Sequence, residues 1–410
     1  MKEFFKVTDL DTVLEWPSRF ARVERETIPI TEALSRILAK DIVSDVNLPD
    51  FSRSIMDGFA VAASSTFGAS EANPAYLNVP FTIAMGESPD FSIRPGEAAR
   101  ISTGGMLPKG ADSVVMVEHT DVLDETTIEV YRSVAPGQNI IEIGEDFHAS
   151  DTVLFKGQKL RPQEIGLLAA FGVAAVPVYR RPVVGIISSG DEVLPIHEIP
   201  TSGEIRDINS YTLSGQVMAS GGIPRQLGIV KDSYEALLET CRKGLDQSDM
   251  VLVSGGSSVG MRDFTVEVLS RLPQAEILAH GISISPGKPT ILAKIGDKQF
   301  WGLPGHVVSA MVVFHAVVRP FLEHIGGLEA SHRRSKACYA RLSRNIPSAQ
   351  GRVDYVRVKL TEKRDTLLAE PVLGKSGLIH TMVRADGLIQ IDKNTEGLDQ
   401  DTEVRVELLL

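Results

Sequence analysis

Residues 183–192 read Val-Val-Gly-Ile-Ile-Ser-Ser-Gly-Asp-Glu, an apolar run that ends in a polar turn. Residues 250–258 show the same order, as Met-Val-Leu-Val-Ser-Gly-Gly-Ser-Ser. Helix patterns lie between the two runs, over 210–220 and over 233–243, with Gly244 as the expected end of the second helix. Buried strands that alternate with helices of this length predict a mostly parallel sheet with helices on both faces.

The segments before this sheet have other patterns. Residues 1–48 carry helix signals, and Thr31 is the expected cap of one helix. Residues 49–146 contain short alternating runs broken by Gly and Pro, which predict a β-rich module. A further helix is expected from Pro162, in its first turn, to a stop at Gly172.

The C-terminal segment, from residue 331 onwards, alternates apolar and polar residues. The clearest runs are 354–360 and 402–407. Alternation of this kind is typical of an antiparallel sheet with one solvated face, or of a small barrel.

Composition excludes several classes of protein. The chain has 410 residues, enough for two to four domains of about 150 residues each. Its net charge of −11 argues against a general nucleic-acid-binding surface. Cys241 and Cys338 have no metal-site spacing, which argues against a zinc-thiolate site or an iron–sulfur cluster.

The sequence also bears on location. The N-terminus has no apolar run or cleavage site typical of a secretory signal. The most apolar stretch, 307–322, is interrupted by His315 and by Arg319-Pro320, and we expect it to be too short to cross a membrane. We therefore expect a cytoplasmic protein with neither nucleic-acid nor membrane partners.

Three loops rich in Gly and small polar residues follow strands of the predicted sheet, at the edge where ligands bind in such folds. They cover residues 188–192, 254–260 and 285–289. Glycines let the backbone approach a phosphate, and Lys288 adds an ammonium group to the third loop. The spacing matches neither a P-loop nor a dinucleotide-binding fingerprint. One such loop is more often only a turn, but three at one edge favour an anion site.

Acidic residues accompany these loops, namely Asp191, Glu192, Asp207, Asp249 and Asp263. One interpretation is a hard-cation site, because Mg²⁺ prefers a few carboxylates together with phosphate oxygens. The other is helix capping, for which Asp263 is a candidate because an apolar helix pattern starts just after it. Asp249 leads into an apolar strand and is predicted to be structural.

Three further segments follow neither a helix nor a strand period, and this marks them as candidate functional loops. They are residues 52–61, 103–105 and 144–146. His306 lies at a predicted sheet edge, where both a ligand contact and a structural role are open.

An ordered set of motifs carries a family resemblance. The motifs are Ser54-Ile55-Met56-Asp57-Gly58-Phe59-Ala60, Thr103-Gly104 with 108–112, Gly144-Glu145-Asp146, Ser189-Gly190-Asp191-Glu192, the 254–260 loop with Asp263, Pro286-Gly287-Lys288-Pro289 and Gly302-Leu303-Pro304-Gly305. Together they resemble the molybdopterin molybdenumtransferase family, called MoeA in bacteria and the E domain of gephyrin in animals. The resemblance covers nearly the whole chain.

The resemblance implies a multidomain α/β plus β fold. Its parts are a central molybdopterin-binding three-layer α/β domain with a mostly parallel sheet, a β-rich inserted domain, a helical linker domain and a C-terminal β-barrel-like domain. We predict domain I, elongated, helical and dimer-forming, at 1–48 and 147–180. Domain II is predicted at 49–146, domain III at 181–327 and domain IV at 328–410.

The resemblance also implies an activity. The family adds molybdate to adenylylated molybdopterin and releases AMP, with the help of Mg²⁺. The implied assembly is a homodimer with the active site between domain III of one subunit and the first two domains of its partner. Transient contacts with molybdopterin adenylyltransferase and with acceptor molybdoenzymes are expected.

Roles of single residues follow from the same motifs. Asp57, Thr103, Glu192 and Asp263 are predicted to be catalytic, and Asp57, Asp146, Glu192 and Asp263 to hold the metal. Of these, Asp57, Thr103 and Asp146 would reach in from the partner subunit. The predicted cofactor-binding residues are Ser189, Gly190, Asp207, Asn209, Gly255, Gly256, Ser257, Ser258, Ser285, Gly287, Lys288, Pro304, His306 and Ser376.

The chain departs from the usual family pattern at a few positions. Ser285 stands where many members have a lysine, and Gly281 or a neighbour replaces another lysine. His306 and Val307 stand where many members have Asn and Pro. Losing a charged hydrogen bond of roughly 1.5–3 kcal/mol weakens anion binding by about tenfold or more.

Three alternatives stay open beside the molybdenum insertase, the first two because of these departures and the third because adenylyl transfer uses the same α/β domain. One is an insertase that prefers tungstate. Another is a non-catalytic molybdopterin-binding or scaffold paralogue. The third is an adenylyltransferase acting one step earlier, against which the additional domains count.

Overall fold

The computed structural model describes residues 7–255, 259–334, 336–363 and 365–409, and for residues 259–263 it describes only the backbone. The chain separates into two compact units. The large unit comprises residues up to 40, 156–162 and 175 onwards, and the small unit comprises 41–155 and 163–174. The division into four domains stays a prediction.

A six-stranded sheet forms the centre of the large unit. Its strands, in spatial order, are Ile223–Val230, Val183–Ser189, Met250–Gly255, Lys298–Leu303, Ile291–Ile295 and Ala275–His280. The first four are parallel, and the last two are antiparallel to their neighbours. The predicted mostly parallel sheet is confirmed.

Helices cover both faces of this sheet. They are Asn209–Ala219, Tyr234–Gln247, Val259–Arg271 and the continuous helical segment Val307–Val313, Phe314–Val318 (a π-turn) and Arg319–Ile325. On one face Leu213 and Val217 pack with Ile186 of the sheet. On the other face Leu237 packs with Ile187. The apolar runs are continuous because alternate residues enter opposite cores.

The helical segment Val307–Ile325 is longer than predicted. At 19 residues it has the length and hydropathy of a membrane span, so the expectation that it would be too short was wrong. Since 72% of its most apolar window is buried inside the protein, the segment is a core helix.

A closed five-stranded barrel follows in the chain. Strand order is Val353–Lys363, Thr366–Pro371, Ala337–Leu342, Glu403–Leu408 and Gly387–Ile391, and the last strand pairs back with the first. The short strand Ile284–Ser285 adds to the barrel in parallel with Val353 and Asp354. The predicted barrel is confirmed, and it attaches next to the third of the glycine-containing loops.

The other elements of the large unit are short. They are the strand pairs Arg25–Pro29 with Ala175–Tyr179, Val193–Leu194 with Ile205–Arg206, and Ile346–Pro347 with Gly397–Leu398, the helices Leu10–Leu14 and His380–Val383, and the 3-10 turns Trp16–Arg19, Ile30–Glu32 and Ala330–His332.

The small unit is β-rich. Its sheet has the order Ser113–Met116, Gly58–Val61, Glu97–Ile101, Ala75–Thr82, Thr127–Val130 and Thr120–Val122. Two strand pairs, Arg53–Ser54 with Ile140–Ile141 and Ile42–Val43 with Thr152–Leu154, and the turns Ala63–Thr66 and Val117–His119 complete it, with most of the helix Pro162–Ala170. This helix stops before Gly172, whose φ is +70°, as predicted.

Two helix predictions were wrong. No helix starts at Thr31, since this residue lies in a single 3-10 turn, Ser35 has a φ of +64°, and Leu38 forms a β-bridge with Val178. Gly244 does not end its helix, which continues to Gln247. A Cβ at Gly244 would lie 2.8 Å from Leu227 Cδ1, so this glycine permits close helix-to-sheet packing instead.

Candidate active site

The carboxyl ends of the parallel strands form one edge of the central sheet. Ser189 lies opposite Gly255 on the adjacent strand, and Ser254 lies opposite Leu303 on the next. The described ends of these three strands therefore lie at the same edge. This is the arrangement in which open α/β sheets bind ligands.

Buried hydroxyls organise this edge around Asp207. The Ser188 hydroxyl donates to Asp207 Oδ1 at 2.8 Å and lies 2.9 Å from Ser210 Oγ. The backbone N–H of Ser210 donates to the same carboxylate oxygen at 3.1 Å. Asp207 is only 7% exposed, so its observed contacts fix the start of the Asn209–Ala219 helix. Its predicted contact with the pterin stays a prediction.

Glycine is required at two positions of the first two loops. Gly255 has a φ of +137°, and a Cβ there would lie 2.1 Å from the Ser189 carbonyl oxygen. Gly190 has a φ of +145°, and a Cβ there would lie 2.6 Å from a Glu192 carboxylate oxygen. The N–H of Gly190 donates to the Val230 carbonyl, so it is already used within the protein.

A carboxylate that the sequence analysis missed lies beside Glu192. Asp232 follows the Ile223–Val230 strand, whose carboxyl end belongs to the same edge of the sheet. Its N–H donates to Asp191 Oδ1 at 3.0 Å. Its own Oδ1 is buried and has no hydrogen-bond partner among the described residues. Burial raises the pKa of Asp232, and the charges of Asp191 and Glu192 raise it further.

The group formed by Asp191, Glu192 and Asp232 suits a divalent cation, because the carboxyls repel one another and one buried oxygen lacks a partner. Within the described part of the chain, however, no three His, Cys, Asp or Glu side chains are arranged to hold a metal by themselves. Oxygens of a substrate would have to complete the coordination. The sequence patterns do not predict the Ile223–Val230 strand, so they give no reason to single out the acid that follows it.

The loop that follows the Lys298–Leu303 strand meets a loop of the barrel. His306 caps the helix that starts at Val307, and its Nδ1 lies 2.9 Å from Ser376 Oγ. The N–H of Val308 donates to the Ser376 carbonyl at 3.0 Å. Ser376 therefore lies at the sheet edge, while its contact with the cofactor stays a prediction, and the neighbouring Lys375 adds an exposed ammonium group that was not predicted.

Asn209 presents an unused acceptor at this edge. Its side-chain amide donates to the Gly305 carbonyl at 2.9 Å. Its Oδ1 is buried and has no hydrogen-bond partner within the described residues. A buried acceptor of this kind is suited to a donor from a bound molecule. Pro304, the residue before Gly305, is buried at the same place.

The Ser285–Lys288 turn lies where a strand pairs with the barrel. Ser285 is half-buried and lies opposite Asp354. Gly287 has a φ of +124°, and a Cβ there would lie 2.2 Å from Val313 Cγ2, so only glycine fits. Lys288 is exposed, and its side chain is therefore available to an anion.

Four predicted residues have no described side chain. Gly256, Ser257 and Ser258 lie outside the described residues, and Asp263 lies in the Val259–Arg271 helix, for which only the backbone is described at that position. The capping interpretation of Asp263 was wrong, because the helix begins upstream of it.

In the small unit, Asp57 and Thr103 lie together. The backbone N–H and the hydroxyl of Thr103 donate to Asp57 Oδ1 at 2.7 and 3.1 Å. These bonds hold the pKa of Asp57 below its usual value. A Cβ on the next residue, Gly58, would lie 1.9 Å from the Val115 carbonyl oxygen, so the backbone after Asp57 is tightly fixed. Asp146 is exposed in the same unit, and its N–H donates to the Leu48 carbonyl.

Three family models match the chain in order. Residues 8–172 match the MoeA N-terminal region (domain I and II), residues 185–324 match a model described as "Probable molybdopterin binding domain", and residues 339–409 match the MoeA C-terminal region (domain IV). The chain belongs to the MoeA family.

Relatives and solved structures agree with this assignment. The molybdopterin molybdenumtransferase of Bacillus subtilis is 33% identical over 94% of this chain and 90% of the relative. That of Haemophilus influenzae is 35% identical over 82% of this chain and 81% of the relative. The crystal structure of the molybdopterin biosynthesis MoeA protein from Pyrococcus horikoshii has 31% identity and a TM-score of 0.85, and the match covers 98% of this chain and 100% of that chain. The predicted fold class is confirmed.

Proposed function

We propose that this MoeA family protein is a molybdopterin molybdenumtransferase that inserts molybdate into adenylylated molybdopterin and releases AMP. The observation that carries the proposal is the match of three MoeA models, in order, along the chain. The shared edge at which the strands ending in Ser189, Gly255 and Leu303 stop supports it. The family's relatives are transferases of molybdenum cofactor biosynthesis by name. We also infer a cytoplasmic location, because these relatives are biosynthetic enzymes by name.

The residues of the sheet edge have distinct roles in this proposal. Lys288 and Lys375 supply positive charge to the phosphates, and the Asn209 Oδ1 accepts a hydrogen bond from the pterin. His306 is held by Ser376 through its Nδ1, which leaves the other ring nitrogen, Nε2, to donate to an anion. Ser285 offers a hydroxyl in place of the usual ammonium.

Asp191, Glu192 and Asp232, with Asp263 as predicted from the family motif, are the residues that would hold Mg²⁺. Bound there, the cation would neutralise charge on the pyrophosphate as it is cleaved. Asp232 keeps its carboxylate oxygen unpaired for this purpose, and Asp191 orients Asp232 through the backbone N–H.

Asp57, Thr103 and Asp146 are proposed to complete the site from the second subunit of a homodimer. The support is the family motif together with the fixed geometry of the Asp57 carboxylate, which Thr103 holds ionised through two hydrogen bonds. An ionised, oriented carboxylate is suited to a metal or to a water molecule.

The test is release of AMP from adenylylated molybdopterin in the presence of molybdate and Mg²⁺. Glu192→Gln should lower the rate, whereas Glu239→Gln, an exposed residue on the Tyr234–Gln247 helix, should not. Absence of release above a protein-free control would refute the activity. Pterin binding without AMP release would favour the scaffold alternative, and faster release with tungstate would favour a tungstate-preferring insertase.

The subunit arrangement has its own test. Asp57→Asn and Glu192→Gln proteins, each of low activity alone, should reach about a quarter of the wild-type activity when they are co-expressed in equal amounts. About half of the dimers are then mixed, and one of the two sites in each mixed dimer is intact. Failure of the mixture to regain any activity, with mixed dimers shown to be present, would place both residues in one subunit's site.

A further inference from the structure

A cavity lies at the end of the central sheet opposite the candidate active site. It has a volume of about 740 Å³ and is formed within the large unit. Arg181 and Pro182, which line it, immediately precede the Val183–Ser189 strand, whereas the candidate active site follows that strand. A strand of seven residues is about 23 Å long, so the two sites are well separated.

The cavity is strongly basic although the protein is acidic. Nine Lys and Arg side chains line it, against two carboxylates, Glu323 and Glu407. The whole chain carries a net charge of −11. Positive charge that converges in a concave space is focused by the low-dielectric walls, unlike charge dispersed over a surface.

Some of these cations have internal partners and build the wall. Arg319 forms ion pairs with Glu407 at 2.8 Å and with Glu323 at 3.8 Å. Arg333 pairs with Glu323 at 2.6 Å. Ion pairs of this kind, half-buried and shared, fix the side chains that surround the cavity.

Two other lining arginines are paired to carboxylates outside the cavity. Arg180 binds Asp249 through two nitrogens, both at 2.7 Å, and Arg36 pairs with Glu26. The charges of these two arginines are therefore already neutralised by carboxylates of the protein. The predicted structural role of Asp249 is confirmed by this contact, to which the Val183 N–H adds a hydrogen bond at 2.7 Å.

Four lining cations remain without such a partner. Lys159, Arg181, Arg334 and Lys336 are exposed, and across the described ranges of the chain no carboxylate forms an ion pair with them. The C-terminal ends of the Asn209–Ala219 helix and of the Arg319–Ile325 helix also border this cavity. Each C-terminal end carries roughly half a negative charge. Four free cations exceed what two helix ends neutralise.

The cavity also has an apolar wall. Leu34, Leu322 and Leu328 belong to its lining. Its volume falls in the range of about 300–1,000 Å³ that is typical of small-molecule sites. The space therefore suits a small organic or inorganic molecule that carries several negative charges.

We propose that this cavity binds a small multivalent oxyanion of the phosphate class, at a site distinct from that of molybdenum transfer. Arg181 and Arg334 are suited to bind its oxygens with two parallel N–H groups each, and Lys159 and Lys336 neutralise further charge. Inorganic pyrophosphate and nucleoside diphosphates both carry several negatively charged phosphate oxygens of this kind.

Protection of lysines from an amine-acylating reagent, read by mass spectrometry, tests the proposal on the full-length protein. Pyrophosphate or ADP should slow the labelling of Lys159 and Lys336 at least fivefold. Lys243, an exposed lysine on the Tyr234–Gln247 helix, is the control and should be labelled at an unchanged rate. Protection should fade as the salt concentration rises, because exposed charges are screened.

The double variant Arg181→Ser with Arg334→Ser should abolish protection and leave AMP release unchanged, so its outcome is independent of the proposed enzymatic activity. Arg242→Ser, another exposed residue of the Tyr234–Gln247 helix, is the matched control and should retain protection. A response to pyrophosphate alone identifies an inorganic anion, and stronger protection by ADP identifies a nucleotide.

Several results would overturn the proposal. One is equal labelling of Lys159 and Lys336 with and without either anion, and another is equal protection of Lys243. A third is resistance of Lys159 and Lys336 to labelling before any anion is added, which would mean that a second copy of the chain covers the cavity.

Discussion

The substitution Gly255→Ala addresses the contact on which the candidate site is built. Gly255 ends one parallel strand and lies against Ser189, which ends its neighbour. The new Cβ would lie 2.1 Å from the Ser189 carbonyl oxygen, about 1 Å closer than side chains are found to approach such an atom. The two strand ends would have to separate, and the loops that follow them would move apart.

Two contributions give the size of the effect. A non-glycine residue at a φ of +137° costs about 1–3 kcal/mol in backbone strain. Forcing an extra methyl group into a packed site costs a further ~1–3 kcal/mol. Gly228→Ala separates the two contributions, because Gly228 also has a positive φ, of +99°, but its Cβ would meet nothing within 4 Å; it lies on Ile223–Val230, on the far side of the strand that ends at Ser189.

Urea unfolding measures both variants, and AMP release is measured on the folded fraction. We expect Gly228→Ala to lose roughly 1–3 kcal/mol of unfolding free energy and to keep its activity. Gly255→Ala should lose roughly 2–6 kcal/mol and should release AMP at least tenfold more slowly. If Gly255→Ala is no less stable than Gly228→Ala and is fully active, the close approach of the two strands does not build the site.

Three further predictions concern charge. Asp57→Asn should keep both hydrogen bonds from Thr103, so the protein should unfold at the same urea concentration as wild type while AMP release falls about tenfold or more; an unchanged rate would remove the Asp57 charge from the mechanism. Ser285→Lys should lower the molybdate concentration needed for half-maximal AMP release by about tenfold, and a higher requirement would show that no anion binds near this turn. Burial raises the pKa of Asp249, but hydrogen bonds from Arg180 and from the backbone lower it more, so the net shift of this pKa is downward. The ionised Asp249 therefore stabilises the folded protein above about pH 4, and this stabilisation is lost as the pH falls further. Asp249→Asn should therefore be less stable than wild type at neutral pH in urea unfolding, with the difference shrinking below about pH 4; a difference that does not depend on pH would contradict the ion pair.

Much of the architecture could be predicted because the central strands are buried on both faces. The runs at 183–187 and 250–253 are continuously apolar, and the structure sends alternate residues into two separate cores. The glycine-containing turns at the ends of these runs could also be predicted as candidate site residues, because a turn that follows a parallel strand begins at the carboxyl edge of the sheet, where ligands bind.

The errors came from residues whose conformation depends on distant parts of the chain. The segment after Thr31 has an apolar spacing that fits a helix, but its backbone pairs with residues near 159 and 178, which are more than a hundred positions away. Glycine is common just after a helix, which is why Gly244 suggests a helix end. Its actual reason, close packing against Leu227 on a strand of the sheet, cannot be seen in the sequence.

The candidate site shows the same limit. The motifs brought Glu192, His306 and Ser376 to notice, but not Asp232, since a single acid after a strand carries no motif. Its importance depends on two features of the fold, namely the burial of its oxygen and the approach of Asp191. Both result from the order of strands in the sheet.

The most direct test of the function is analysis of the pterin product after a single turnover with adenylylated molybdopterin, molybdate and Mg²⁺. The account predicts that mass spectrometry finds a pterin that has gained one molybdenum atom and lost its adenylyl group, in an amount equal to the AMP released. A pterin that still carries the adenylyl group, or one that has lost it without gaining metal, would contradict the account.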